Sequence, residues 1–317
     1  MTPLSVVTLL GLVIEFVVGI VANGLIVGLN CIAWIKSKKL DSCALVLISL
    51  GTSRFFLLFT LLINNIFFVI PKKSNEQCNT WRAFFFIWMY LSTLSLWFAT
   101  WLAVFYCVKI TSFNQHLFLW LKSRLSGLLP WLILGSLLVS LATSLPAVNA
   151  IHIDYLNNSI NNLSRNITVA CIYETNTSLS FLILTMFGHY SPFVLFFVPS
   201  LLLVTSLLRH TKRMGENMST SRDISAEAHI RAIKALLSFI VLYIFYMVAQ
   251  LITLTMKFAA SSSYLLWFCI MILAGYPSVH SVILILSNPK LKEAALKGLH
   301  NARLSDWGMC LSKNGEN

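Results

Sequence analysis

The chain has 317 residues, with 23 Lys and Arg against 11 Asp and Glu; hydrophobic residues make up 57% and charged ones 11%, and the mean hydropathy is +0.79. Soluble proteins carry about 25% charged residues, so this chain cannot cover a water-soluble surface of its size. A soluble enzyme, a disordered chain and a disulfide-stapled secreted domain are all excluded.

About 20 apolar residues cross a bilayer as a helix, and seven stretches reach that length: 4–35, 44–70, 81–109, 128–150, 181–208, 230–256 and 262–287. The expected fold is all-α, an integral membrane seven-transmembrane-helix bundle forming one domain over 1–300. A short amphipathic helix over about 289–300 closes that domain, and 301–317 is a tail. Neither internal repeats nor low-complexity segments interrupt it.

In the first span, Met1–Leu4 lacks the basic start of a signal peptide, so the span is expected to remain as an anchor. It carries Glu15, the only acid within any span, and Asn23. A carboxyl at that depth reads as a protonated or snorkelling group rather than a ligand counter-ion. The second span carries Arg54, about ten residues in and hence roughly 15 Å from its nearer end, at nearly the depth of Asn23. Guanidinium has five donors and no acceptor, so the Asn23 amide oxygen and backbone carbonyls near His280 and Ser281 in span seven are its natural partners. This set reads as a latch joining three helices, one that switching could rearrange.

Trp88, Met89, Ser92 and Thr93 share one face in the outer half of span three. Phe187 and Ser191 in span five, then Tyr246 and Thr253 in span six, repeat such a face. Together they would line an apolar pocket with a few hydroxyls and no fixed charge. It suits neutral ligands better than amines, because span three has no Asp or Glu. His189, beside Tyr190, reads as a cavity-facing or satisfied core histidine rather than a metal ligand. His280 with Ser281 lacks an acidic partner and reads as packing.

Cytoplasmic loops retain Lys and Arg. Seventeen of the 23 lie in the connections after spans one, three and five or in the tail, and five lie on the opposite side. The N-terminus is therefore expected outside and the C-terminus in the cytoplasm. The net charge of +12 then suits anionic lipid or an acidic cytosolic partner, and not nucleic acid. The external loop 151–180 holds glycosylation sequons at Asn157, Asn162, Asn166 and Asn176, while a fifth at Asn217 falls inside. Of seven cysteines only Cys78 and Cys171 face the oxidising side, which makes a bridge sensible without proving one.

No metal-binding HExxH, nucleophile elbow, phosphate loop or CxxC pair occurs, so neither enzyme, metal nor cofactor is expected. A small multipass transporter or channel would need several intramembrane acids or broken helices.

The inner ends of the helices carry the clearest pattern: NGLIV at Asn23–Val27, LISLGTSR at Leu47–Arg54, LWFATWLAVFYCVKITSF at Leu96–Phe113 and HLFLWLK at His116–Lys122. RHTKRM at Arg209–Met214, AHIRAIKALLSFIVLY at Ala228–Tyr243 and YPSVHSVILILSNPKLKEA at Tyr276–Ala294 complete it. In these the chain resembles the bitter taste receptors (taste receptor type 2), a family of seven-helix G-protein-coupled receptors. Gly51 and Thr111 depart from the family's usual Ala. FYCVK and HSVILIL replace the rhodopsin-like motifs, as in bitter receptors. The resemblance implies a multi-pass plasma-membrane receptor that binds bitter, often apolar small molecules in the outer half of the bundle and activates a gustducin-type heterotrimeric G protein.

Carried over by position, the family's pocket falls on Asn65, Trp88, Met89, Ser92, Thr93, Phe187, Ser191, Tyr246, Ala249, Thr253 and Ile270. Its G-protein cavity falls on Tyr106, Lys109, His210, Lys212, His229 and Lys234. A vomeronasal type 1 chemosensory receptor is the alternative within receptors, and HSVILIL and LISLGTSR favour the bitter reading. Receptor oligomers are left open.

Overall fold

The computed structural model describes residues 3–69, 74–110, 116–146, 152–157, 167–172, 179–215, 223–255, 263–289 and 291–297. Seven helices run in order: α1 (Pro3–Ser37), α2 (Ser42–Val69), α3 (Ser74–Ile110), α4 (His116–Ser144), α5 (Leu179–Gly215), α6 (Asp223–Thr255) and α7 (Ser263–Ser287). Each contains a window long and apolar enough to cross a bilayer. A helix is the form that satisfies every backbone N–H and C=O within such a segment.

Some helices begin well before the apolar stretches suggest. α3 starts at Ser74 and α4 at His116, against expected starts at 81 and 128. Helical hydrogen bonding continues past the hydrocarbon-length segment, and apolarity alone cannot mark where it begins.

The α1–α2 turn shows how the sequence ends one helix and starts the next. Lys38 takes a left-handed φ of 53° just after the last helical residue, and its N–H still bonds the Trp34 carbonyl at 2.8 Å. The Ser37 hydroxyl donates to the Lys39 carbonyl at 2.9 Å. Asp41 occupies the N-cap of α2, its carbonyl accepting from the Leu45 N–H at 3.0 Å. We call this the basic end of the bundle, after Lys36, Lys38 and Lys39, and the other the hairpin end.

α3 is the central helix. Its spanning window is 78% buried against 22% for α1 and for α4, and it packs on α2, α4 and α5. The ring closes through α5–α6, α6–α7 and α7–α1 contacts. The main core joins Ile26, Leu50, Leu96, Phe98, Phe196, Tyr243 and Tyr246, while Ile35, Phe56, Trp131 and Phe245 project outward, as a lipid-facing surface requires.

The connection between α4 and α5 is not plain loop. β1 (His152–Asn157) pairs antiparallel with β2 (Ile167–Ile172), from His152 opposite Ile172 to Asn157 opposite Ile167. β-branched residues concentrated at Ile167, Thr168, Val169 and Ile172 favour a pleated pair. β2 packs against α3. Beyond α7, Asn288 caps a further helical segment over 291–297, its side-chain oxygen accepting from the Leu291 N–H at 3.4 Å. Leu291 is buried there, and Glu293 pairs with Lys297 at 2.8 Å on the exposed side.

Candidate functional site

Two polar assemblies interrupt the apolar core. The first is the expected latch. Arg54 lies twelve residues into α2, about 18 Å along the helix, and is fully buried. Its Nη1 donates to Ser281 Oγ at 3.1 Å, and that hydroxyl donates onward to Asn23 Oδ1 at 2.8 Å. Asn23 Nδ2 in turn donates to the Gly19 carbonyl at 2.8 Å. Arg54 therefore reaches Asn23 through the Ser281 hydroxyl, where the donor count alone suggested a direct bond. The Pro277 carbonyl also lies 2.8 Å from Ser281 Oγ, so one hydroxyl proton serves two acceptors.

The guanidinium also rests over the Tyr276 ring, 5.6 Å from its centroid. Arg54 Nε and Nη2 make no hydrogen bond. Close approach of α1 to α7 makes the arrangement feasible: a Cβ at Gly19 would run into Ser278 Oγ and Leu58 Cδ1. Ser278 Oγ donates to the Glu15 carbonyl at 2.8 Å. The Glu15 carboxyl lies over Gly275, at the wall of a cleft of about 40 Å3 with Leu12, Phe16, Leu58 and Leu62.

The second assembly occupies the hairpin half. Ser92 Oγ of α3 and the Tyr246 hydroxyl of α6 lie 2.7 Å apart, so the two expected pocket faces meet. Met89, Thr93 and Ala249 are buried around them and Trp88 is half-buried. His189 of α5 stacks on Tyr246 with centroids 6.3 Å apart and an interplanar angle of 16°. Thr253 Oγ1 bonds back to the Ala249 carbonyl at 2.8 Å, and Ile270 is half-buried on α7.

Phe187 departs from the expected set. It is 55% exposed on the outer side of α5, and Ser191 Oγ is turned back to the Phe187 carbonyl at 2.6 Å. The α5 residue facing the bundle is His189, which is 1% exposed. Tyr243 and Tyr276, both absent from the expected set, link the two assemblies. Tyr276 lies 5.0 Å from Tyr246, 5.8 Å from Tyr243 and 5.7 Å from His280, centroid to centroid. His280 in turn meets Phe239 edge-on at 4.1 Å. Their i, i+3 and i, i+4 spacings, Tyr243–Tyr246 and Tyr276–His280, were the available signal.

At the basic end, Cys43 Sγ of α2 donates to the Tyr106 hydroxyl of α3 at 3.7 Å, and Lys234 is exposed on α6. The side chains of Asn65, Lys109, His210, Lys212, His229, Cys78, Cys171 and Asn157 lie outside the described residues, as do Asn162, Asn166, Asn176 and the segment 298–317. Among the described residues no cluster of His, Cys, Asp and Glu could hold a metal ion.

The family described as Taste receptor protein (TAS2R) matches residues 1–303. Taste receptor type 2 member 2 of Homo sapiens is 37% identical over 281 residues, covering 88% of this chain and 91% of the relative. Taste receptor type 2 member 7 of Pongo pygmaeus is 37% identical over 283 residues, 89% of each chain. Taste receptor type 2 member 40 of Gallus gallus is 37% identical over 294 residues, 91% of this chain and 92% of the relative.

Proposed function

The chain belongs to the taste receptor type 2 family, G-protein-coupled receptors for bitter taste, and we propose that it binds small, mostly apolar bitter compounds in the hairpin half of the bundle and activates a gustducin-type G protein at the basic end. The observation that carries the binding reading is the Ser92–Tyr246 contact. It brings α3 and α6 together at buried hydroxyls, and spans three, five and six contain no carboxylate to fix a cationic ligand. A cavity of that character orients ligands weakly and accepts many.

Trp88, Met89, Ser92, Thr93, Tyr246 and Ala249 make the wall, with Asn65, Ser191, Thr253 and Ile270 at its margin. Tyr106, Lys109, His210, Lys212, His229 and Lys234 contact or control the G protein. The hairpin end faces outward, in keeping with the charge bias. The Asn157, Asn162, Asn166 and Asn176 sequons and a Cys78–Cys171 bridge belong to that side, and anionic lipid contacts the basic end. An agonist acts by its difference in affinity for two bundle states.

The test is calcium release in cells expressing the chain with a gustducin-tailed G-protein α subunit, challenged with bitter compounds. A concentration-dependent response absent from mock cells, weakened by Trp88→Ala at unchanged surface abundance, is expected. Dose-response curves that Trp88→Ala leaves unchanged across a broad agonist panel would remove the proposed pocket.

A further inference from the structure

His189 has a fixed hydrogen-bonding polarity. Its Nδ1 lies 3.0 Å from the Thr185 carbonyl oxygen. A carbonyl can only accept, so in the neutral ring Nδ1 carries the proton and Nε2 presents a lone pair. That Nε2 is buried and has no hydrogen-bond partner.

The ring is not isolated. It stacks on Tyr246, whose hydroxyl is already committed to Ser92. On the neighbouring face, Gly188 abuts Thr143 of α4 so closely that a Cβ there would come within 2.9 Å of the Thr143 hydroxyl. Within one helical turn of those two residues along α4 and α5 stand three further buried hydroxyls without partners, Thr185 Oγ1, Ser140 Oγ and Ser144 Oγ. A buried polar group left unpaired is costly, and several at one helix junction form a polar seam in an otherwise apolar wall.

We propose that Nε2 of His189 is the acceptor that selects, among compounds entering the hairpin half, those bearing a hydrogen-bond donor such as a phenolic O–H or an amide N–H. This rests on the reading of that half as the binding site. A donor placed on Nε2 pairs the lone pair, whereas an ether, ketone or aryl fluoride sets lone pair against lone pair. Selectivity thus comes from rejection of acceptor-only compounds as much as from attraction of donors.

The probes are 4-propylphenol and 1-fluoro-4-propylbenzene, which are similar in shape and differ in the donor. The full chain is placed in lipid nanodiscs with 15N-labelled histidine and tryptophan, and His189→Leu assigns the histidine signal. The phenol is expected to shift the His189 Nε2 resonance and the fluoro compound to leave it in place. The phenol's apparent affinity should be roughly tenfold higher. That ratio should fall to about one in His189→Leu and be partly kept in His189→Gln, which retains an acceptor. Equal responses of Nε2 to both probes, or none to the phenol while the Trp88 indole responds to both, overturn the assignment of His189 and leave the site standing. Silence of both His189 and Trp88 toward both probes overturns the binding site itself, and the proposal with it.

Discussion

Replacing Ser281 by Ala tests the latch at its narrowest point. The hydroxyl is fully buried, accepts from Arg54 Nη1 at 3.1 Å and donates to Asn23 Oδ1 at 2.8 Å. Interhelical hydrogen bonds between neutral groups in membranes average only about 0.6 kcal/mol. The bond to Arg54 is charge-assisted, about 1.5–3 kcal/mol. Ser281 Oγ accepts from Arg54 Nη1, while Arg54 Nε and Nη2 lack partners. The charged contribution therefore dominates, and the two together predict a loss of about 2–4 kcal/mol. At roughly 2–4 °C per kcal/mol for a chain of this size, the unfolding midpoint of purified receptor should fall by about 4–16 °C, with reduced surface abundance. Ser281→Thr keeps the hydroxyl and should lie close to the parent. Asn23→Ala combined with Ser281→Ala should cost less than the sum of the two alone, because the pair shares one bond. A Ser281→Ala midpoint within about 1 °C of the parent would refute the latch.

Gly19→Ala should destabilise by about 1–3 kcal/mol, since its Cβ meets Ser278 and Leu58, whereas Gly24→Ala meets no atom within 4 Å and should gain about 0.5–1 kcal/mol from helix propensity; thermal midpoints that do not separate the two would contradict the α1–α7 packing. Tyr246→Phe, which removes the Ser92 contact, should weaken agonist potency, while Phe187→Ala on the outer face should leave it within about twofold; the reverse order in dose-response curves would place Phe187 in the pocket. The Lys297 ammonium holds the Glu293 carboxyl below the usual carboxylate range, so the pair supports helix 291–297 above the unfolded carboxyl pKa. That support fades as pH falls through the lower folded value. Amide protection there, corrected for the intrinsic exchange rate, should fall as the carboxyl protonates in acid, and less so at about 1 M salt; corrected protection independent of pH would show that the pair contributes nothing.

The seven helices were legible because hydrocarbon tolerates few alternatives for twenty apolar residues. Arg54 and Asn23 were legible for a related reason: an ionisable group at that depth has few affordable partners, and depth follows from residue count. The role of Ser281 was only half visible. A hydroxyl can act as bridge or bystander, and a shift of one bond length decides between them. Phe187 stands two residues from Thr185 and from His189, which at 100° per residue puts it across the helix from those buried polar groups; the stripe of Thr185 and His189 marks the inward face of α5, and the aromatic spacing alone does not. His189 was noticed, but its polarity depends on the Thr185 carbonyl 3.0 Å away, a contact no side-chain pattern encodes. The β1–β2 hairpin escaped because six-residue strands within an Asn-rich connection carry little more signal than a loop.

The two polar assemblies share one ring. Tyr276 lies 5.0 Å from Tyr246 on the side where ligand would press, and its face lies 5.6 Å from the Arg54 guanidinium on the other. An agonist that moves Tyr246 cannot leave Tyr276 unaffected, because Tyr243 packs on both at 6.3 and 5.8 Å. A cation–π contact in a desolvated setting is worth about 1–2 kcal/mol. Coupling between distant sites in switching proteins typically amounts to about 1–3 kcal/mol. Disturbing this single contact is thus large enough to bias a two-state bundle by about tenfold, without any ligand contact at the basic end. Among the described residues no carboxylate pairs with Arg54, which suits this role: a salt bridge would hold the guanidinium too firmly for a neutral ligand to redirect, whereas an aromatic face and a hydroxyl hold it by energies that such a ligand can match.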